Sequence, residues 1–550
     1  MPSPLGYTLL TNFENLTGFV NSGGITTSLA GGGRQALGTN GLRIQGTGSN
    51  ISVSVSSVYT TSADISGWNR IAFAVDMLDT LPGSEISSFQ PRFVVGANIY
   101  QYRWNAAAGA VAPGHAPWYS RGKRWLAFPV EDFKLTDFSG ASIKSVGAGT
   151  AKRFDIPLTL QIGNNAADVV VDALVVPADH RPTLMFTFDD ANGSQYTDGF
   201  PAMQAKGWPG TIYLPSALIN LAGKLTTAQI NAMIAAGWSV GIDSMDDDGP
   251  LTRYPTLAES ITALNANRTA ALALFGDTAG AKHVCYSYGA HGYPQTPVTY
   301  STTCDGSTTL NVGGSNAYSF LSNGMRVFGT GVPAGTYVVK PLTAGTVEVS
   351  QAVTAGTKNI TFVGNVPNLA VTCNGTTTVT MASTTNLFAG LEMVGYTVPT
   401  GTTIVSVDSS TQITVSAAVP ATCVRANFSY TAGEFWPSKV ADALIAAGYQ
   451  SGRHVNGNQH IFSGWGLPAL ATMGMYAISI DDTGARAAQL AQIEQALRAG
   501  SDMILYMHQP ASPEFGTFLD SVAALVTTYN ARVSSIGEWG NRISSALPIS

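Results

Sequence analysis

Hydrophobic and polar positions alternate in short runs over the first 178 residues. Leu42-Arg43-Ile44, Ile51-Ser52-Val53-Ser54-Val55, Ile71-Ala72-Phe73-Ala74-Val75 and Leu158-Thr159-Leu160-Gln161-Ile162 are the clearest, with Gly, Ser, Asn and Pro between them. A period of two predicts strands with one buried face. Short strands between turn residues predict an all-β sandwich (jelly roll) over 1–178. Asp168 to Val176 is apolar almost throughout and reads as its last strand.

From about residue 181 the pattern changes to short apolar runs alternating with helical periods. Strands are predicted at 184–188, 210–214, 239–242 and 283–288. A helix over 225–237 puts Ile230, Met233 and Ile234 on one face and ends at Gly237. The rhythm stops near 298 and resumes near 431. Helices follow at 436–447, 485–499 and 516–529, with strands at 476–480, 503–507 and 532–536. The halves 179–298 and 431–550 together supply seven or eight β/α units, the size of a distorted TIM-type barrel.

The interruption, 299–430, repeats itself. Val332-Pro333-Ala334-Gly335-Thr336 returns 66 residues later as Val398-Pro399-Thr400-Gly401-Thr402. Val349-Ser350-Gln351-Ala352-Val353 and Val415-Ser416-Ala417-Ala418-Val419 keep the same offset. Two small β modules, about 299–366 and 367–430, are therefore predicted inside one barrel loop, where a closed scaffold tolerates insertion. In style they resemble β repeats of phage virion proteins.

Composition narrows the partners. Only 11% of residues are charged and the net charge is −6, against about a quarter charged in ordinary soluble chains. Nucleic acid is excluded as a partner, because phosphate binding needs clustered Lys and Arg. No run of 18 apolar residues predicts a membrane span. The first residues lack the charged and apolar regions of a signal peptide. Extracellular-style domains without that signal point to a virion tail protein, released by lysis and acting at the host surface. Export of a bacterial protein by another route is the alternative. Cys373 and Cys423 share one module, and whether they pair stays open, with thiols expected after assembly in reducing cytoplasm. Trp104, Trp118 and Trp125 are either core residues or platforms for sugar rings.

Thr187-Phe188-Asp189-Asp190 carries the strongest chemical signal. Carboxylates at the C-terminal end of a barrel strand sit on the face that holds active sites. Adjacent acids can divide the roles of base and metal ligand. An N-cap after the strand is the bland alternative.

This motif resembles the first motif of the polysaccharide deacetylases, the NodB-homology family. The resemblance makes Asp189 the base and Asp190 a metal ligand. Gly237-Trp238-Ser239-Val240-Gly241 is similar to the approach to the second motif. Tyr286-Ser287-Tyr288-Gly289 resembles the third, which would place an oxyanion-hole amide at Tyr288. Leu505-Tyr506-Met507-His508 resembles the last, which would make His508 the general acid. The resemblance covers roughly 181–298 and 431–550.

The sequence departs from the family at the second motif, where two His normally complete the metal site. Asp243 and Asp247 stand there, and the third motif lacks its customary Arg. Carboxylates favour harder cations than imidazoles do. A divalent cation (Mg²⁺, Mn²⁺, Ca²⁺ or Zn²⁺) on Asp190, Asp243 and Asp247 is one expectation, and a site without metal is the other. Substrate contacts are expected from Trp238, Tyr286, His291, Arg453 and Trp465, with His454 also near the mouth. Cys285 is expected in the core.

Three readings stay open: metal-assisted deacetylation, glycan binding without turnover, and glycosidic chemistry by the acid cluster. The reading favoured is a phage tail spike or fibre protein that recognises, and deacetylates, a bacterial surface glycan. It would assemble with other tail proteins and with copies of itself. A non-catalytic fibre protein and a secreted bacterial deacetylase are the alternatives.

Overall fold

The computed structural model describes residues 7–11, 19–20, 25–30, 40–46, 51–57, 68–77, 86–89, 91–95, 97–104, 112–113, 122–135, 142–143, 153–160, 168–177, 181–244, 251, 254, 256–287, 297–313, 321, 324–341, 345–395, 398–399, 401–423, 425–429, 437–454, 475 and 477–545. Its N-terminal part consists of two antiparallel sheets. One is centred on Arg70–Met77 and Asp168–Pro177, the expected last strand. The other is built around Asn98–Trp104 and Arg153–Leu160. Phe128 of the first sheet meets Tyr102 of the second edge to face, at 4.9 Å between ring centroids. Aromatic contacts of this kind join the two sheets into one core. Trp118 and the side chains of Trp104 and Trp125 lie outside the described residues.

The second part is a barrel of parallel strands. These are β1 Thr183–Phe188, β2 Thr211–Leu214, β3 Ser239–Ile242, β4 His283–Cys285, β5 Ser451–Arg453, β6 Ala477–Ser479 and β7 Met503–Met507. Neighbours in space are neighbours in sequence, from β1 through β5, and β7 pairs with both β6 and β1. A parallel bridge from Arg453 to Met475, just before β6, joins the two ends. The circle is nearly closed.

Strand alternation builds two cores. Leu184, Phe186 and Phe188 of β1 point outward to the helices, whereas Met185 points inward beside Ile504 and Tyr506 of β7. The helices are α1 Phe200–Gln204, α2 Thr227–Ala235, α3 Leu257–Phe275, α4 Pro437–Ala446, α5 Arg486–Arg498, α6 Glu514–Thr528 and α7 Ile536–Ser545. Thr226 and Gln229 form a capping box that starts α2, and Gly237 follows it at φ +91°.

Two elements differ from the sequence expectation. Helix α3 was not anticipated, because its buried face is Ser260, Leu264, Asn267 and Ala271, half of it polar. The strand expected at 532–536 is only Arg532–Val533. The chain then turns so that Ile536 and Trp539 of α7 plug the barrel beneath Met185, with Trp539 Nε1 donating to Asp502 at 2.7 Å.

Each copy of the inserted repeat folds as one six-stranded antiparallel sheet, and the two sheets have the same strand order. The equivalence reaches single bonds. Tyr337 N donates to Ser350 Oγ as Thr403 N does to Ser416 Oγ, and Thr336 and Thr402 each bond back to a proline carbonyl. The sandwich part and the barrel meet where Arg498 of α5 pairs at 2.8 Å with Asp132, in the helical turn between the two sheets. Among the described residues no helix is long and apolar enough to cross a membrane.

Candidate active site

The C-terminal ends of the barrel strands gather the acids and the histidine. Asp189 follows β1, Asp243 follows β3, Arg453 ends β5 and His508 follows β7. Pairing of Phe188 with Met507 in the β1–β7 ladder sets Asp189 beside His508.

The turn after β1 is unusual. Asp190 and Ala191 both have positive φ, 67° and 52°, which L-residues seldom adopt and which tends to collect at functional sites. Side chains satisfy the carbonyls that this turn exposes. Gln195 donates to the carbonyls of Asp189 and His508, Asn192 to that of His508, and Lys224 Nζ to that of Asp190 at 2.9 Å. The first motif is thus clamped to the last.

Asp189 and His508 each have a charged partner. Arg453 Nη2 donates to Asp189 Oδ2 at 2.6 Å, and both side chains are buried. The guanidinium lies between the rings of Tyr213 and Tyr506, with its carbon 4.9 Å from each centroid. Burial opposes the charge on Arg453, but Asp189 and its neighbours outweigh that and hold it protonated. His508 Nδ1 bonds Asp481 Oδ2 at 2.7 Å, and its backbone N–H donates to the other carboxylate oxygen. That carboxylate pushes His508 up to about 9 despite burial. Its free nitrogen, Nε2, lies 4.0 Å from Asp190 Oδ2.

Asp243 differs in character. Its Oδ1 accepts from the Ser287 hydroxyl at 2.6 Å and from the Ser244 amide at 2.7 Å. Burial, then the charge of Asp189, pushes it up to about 7. Asp190 is raised by burial as well, with His508 opposing the rise.

The expected metal shell is Asp190, Asp243 and Asp247, and Asp247 lies outside the described residues. Among the described residues no group of three His, Cys, Asp or Glu is placed to hold a metal ion. Of the expected shell the described residues include only Asp190 and Asp243, whose carboxylates would offer hard oxygen donors to a divalent cation.

The expected substrate contacts fall differently. Trp238 precedes β3, is 2% exposed, and stacks on Phe188 at 5.1 Å, so it is a core residue. Tyr286 is also buried, against His454 and over Gly452, where a Cβ would lie 2.1 Å from the phenol oxygen. Arg453 lies behind Asp189 and positions it, with 1% of its side chain exposed. Cys285 is buried beside Asp243. Tyr288, His291 and Trp465 lie outside the described residues. Asp481 was missed, although Asp481-Asp482 follows an apolar strand just as Asp189-Asp190 does. Lys224, Asn192 and Gln195 had no sequence signal, because loop residues become neighbours only on folding.

No protein-family model matches the chain, and no curated protein does. Similar solved structures include the deacetylase PplD of Streptococcus pyogenes in complex with acetate. It is 18% identical, with 19% of this chain and 46% of that chain covered and a TM-score of 0.18. IcaB from Ammonifex degensii is 18% identical, with coverage of 20% and 51% and a TM-score of 0.17. A carbohydrate esterase, vb_24B_21, of the Shiga toxin-encoding bacteriophage phi24B is 12% identical, with coverage of 32% and 100% and a TM-score of 0.22. The chain spans about half the length of the PplD and IcaB structures. Likenesses this slight leave the chemistry to be argued from the site itself.

Proposed function

We propose that the chain is a hydrolase that removes acetyl groups from a bacterial surface glycan, carried as an oligomeric tail spike or fibre component of a phage. The observation behind this reading is the pair Asp189 and His508 on adjacent strands, each fixed by an oppositely charged partner. Acid–base hydrolysis needs an ionised base and a protonated acid at one pH. Arg453 sets its positive charge 2.6 Å from Asp189, and Asp481 keeps His508 protonated through neutrality.

Asp189 Oδ1 accepts no hydrogen bond from any described residue, which leaves it the oxygen for a water proton. As Asp189 takes that proton, the water oxygen bonds to the acetyl carbon and the C=O π pair moves onto the carbonyl oxygen. That pair then re-forms C=O, the C–N or C–O bond breaks as His508 gives its proton from Nε2 to the leaving nitrogen or oxygen, and acetic acid departs. Asp189 releases its proton to solvent and His508 takes one back. The oxyanion donor expected at Tyr288 belongs to the same step. Arg453, Lys224 and His508 stand against Asp189, Asp190 and Asp481 in the pocket, with Asp243 protonated below about 7.

The competing reading is a barrel that holds glycan without turning it over. It draws on the second motif, where Asp243 and Asp247 stand in place of the family's two His. Acetate release from N-acetylated chitooligosaccharides and from O-acetylated capsule separates the two. The expected result is release by the wild type and a loss of about 10²–10⁴-fold in Asp189→Asn and in His508→Gln, with glycan binding retained. Equal release by Asp189→Asn overturns its role as base. Binding without release by the wild type supports the competing reading. Peptides of this chain in purified virions test the tail assignment.

A further inference from the structure

We infer that Cys373 and Cys423 form an intrachain disulfide when the protein meets an oxidising medium, closing the second repeat covalently. Cys373 directly follows strand Asn365–Thr372, and Cys423 stands two residues before strand Arg425–Ser429. These strands pair antiparallel, with Ala370 opposite Arg425, so both cysteines leave the same end of the pair. Gly375 N donates to Val419 O at 2.9 Å and joins the two flanking turns, and Cys423 N closes its own turn on Pro420 O at 3.0 Å. Both side chains are buried in one apolar cluster with Val371, Val379 and Val419. The two thiols lie within hydrogen-bonding reach of each other. Disulfides require cysteines held this close by the backbone, because the bond tolerates little distortion.

The first repeat supplies an internal contrast. Cys304 occupies the place of Cys373 in the corresponding Thr-Cys-Asp-Gly turn, and residues 298–363 hold no second cysteine. Its thiol faces the carbonyl of Thr302 instead. The pair is thus a property of the second copy alone.

The exchange balances with a small disulfide such as oxidised glutathione as the oxidant. The Cys373 thiolate attacks one glutathione sulfur, and one glutathione thiolate leaves. Cys423 loses its proton and attacks the Cys373 sulfur, and the second glutathione leaves. Two protein thiols are oxidised and one glutathione disulfide is reduced to two thiols. Cys373 acts first because the bond from Cys423 lowers its thiol, whereas burial raises that of Cys304.

The test uses the full chain, incubated with oxidised glutathione, then unfolded in the presence of an alkylating agent and mapped by mass spectrometry. The four thiols are expected to fall to two, with a cross-linked 373–423 peptide and with Cys285 and Cys304 still alkylated. In Cys423→Ser no cross-link forms and Cys373 ends as a thiol or a glutathione adduct. Four alkylated cysteines in the oxidised wild type overturn the proposal. So does a bridge to Cys285 or Cys304, or a stable glutathione adduct on Cys373 with Cys423 still reduced.

Discussion

Arg453 and Asp189 are 264 positions apart in the chain and meet through a 2.6 Å ion pair inside the barrel mouth. Their strands β5 and β1 are not neighbours, so the bond crosses the barrel. The inserted repeats also lie between them in sequence. The pair exists only when the two halves of the barrel close, which makes it a joint test of fold and site.

Replacing Arg453 with Met leaves a buried carboxylate without its cation. The expected cost is about 3–5 kcal/mol of folding stability, with acetate release lost together with it. Arg453→Lys should restore little, because an ammonium cannot fill the planar slot between Tyr213 and Tyr506. Denaturant unfolding and glycan hydrolysis measured on both variants check this. A wild-type midpoint for Arg453→Met would remove the pair from the account.

The pH profile reports on His508. A general acid must be protonated, so the rate should fall as pH rises through about 9. Asp481→Asn removes the bond that raises this value, and His508 then returns toward its ordinary 6.5. The alkaline limb of kcat should move down accordingly. An unmoved limb would show that another group supplies the proton.

Gly241 is needed for packing at the centre of the barrel. A Cβ there would lie 2.5 Å from the ring of Tyr213, which in turn supports Arg453. Gly241→Ala is expected to cost about 1–3 kcal/mol through overpacking and to lower activity more than glycan affinity. Thermal unfolding beside initial rates separates these effects, and full activity with an unchanged Tm would refute the packing role.

Chelation tests the charge balance described for the pocket. Acetate release that survives a chelator, with no stoichiometric divalent ion by elemental analysis, leaves Asp189 and His508 to act without a metal. One equivalent of metal, lost in Asp190→Ala, would instead bring Asp247 into a ligand shell and make the enzyme metal-assisted.

The sequence alone determined the periodicities, because strand and helix patterns follow from which face of each local segment is apolar. It therefore disclosed the strand runs of the N-terminal sheets, most β/α units and the 66-residue repeat. It also marked Asp189 and His508, because acids and imidazoles placed just after apolar strands stand out without any knowledge of the fold. Helix α3 escaped because its buried face includes Ser260 and Asn267, whose burial depends on hydrogen bonds to other elements. Only the tertiary structure decided the partners. Trp238 turned inward to Phe188, Arg453 went beneath Asp189, and Asp481 came to hold His508. Those outcomes depend on barrel closure, which brings side chains from distant strands to one end of the sheet. No local pattern in the chain encodes that distance.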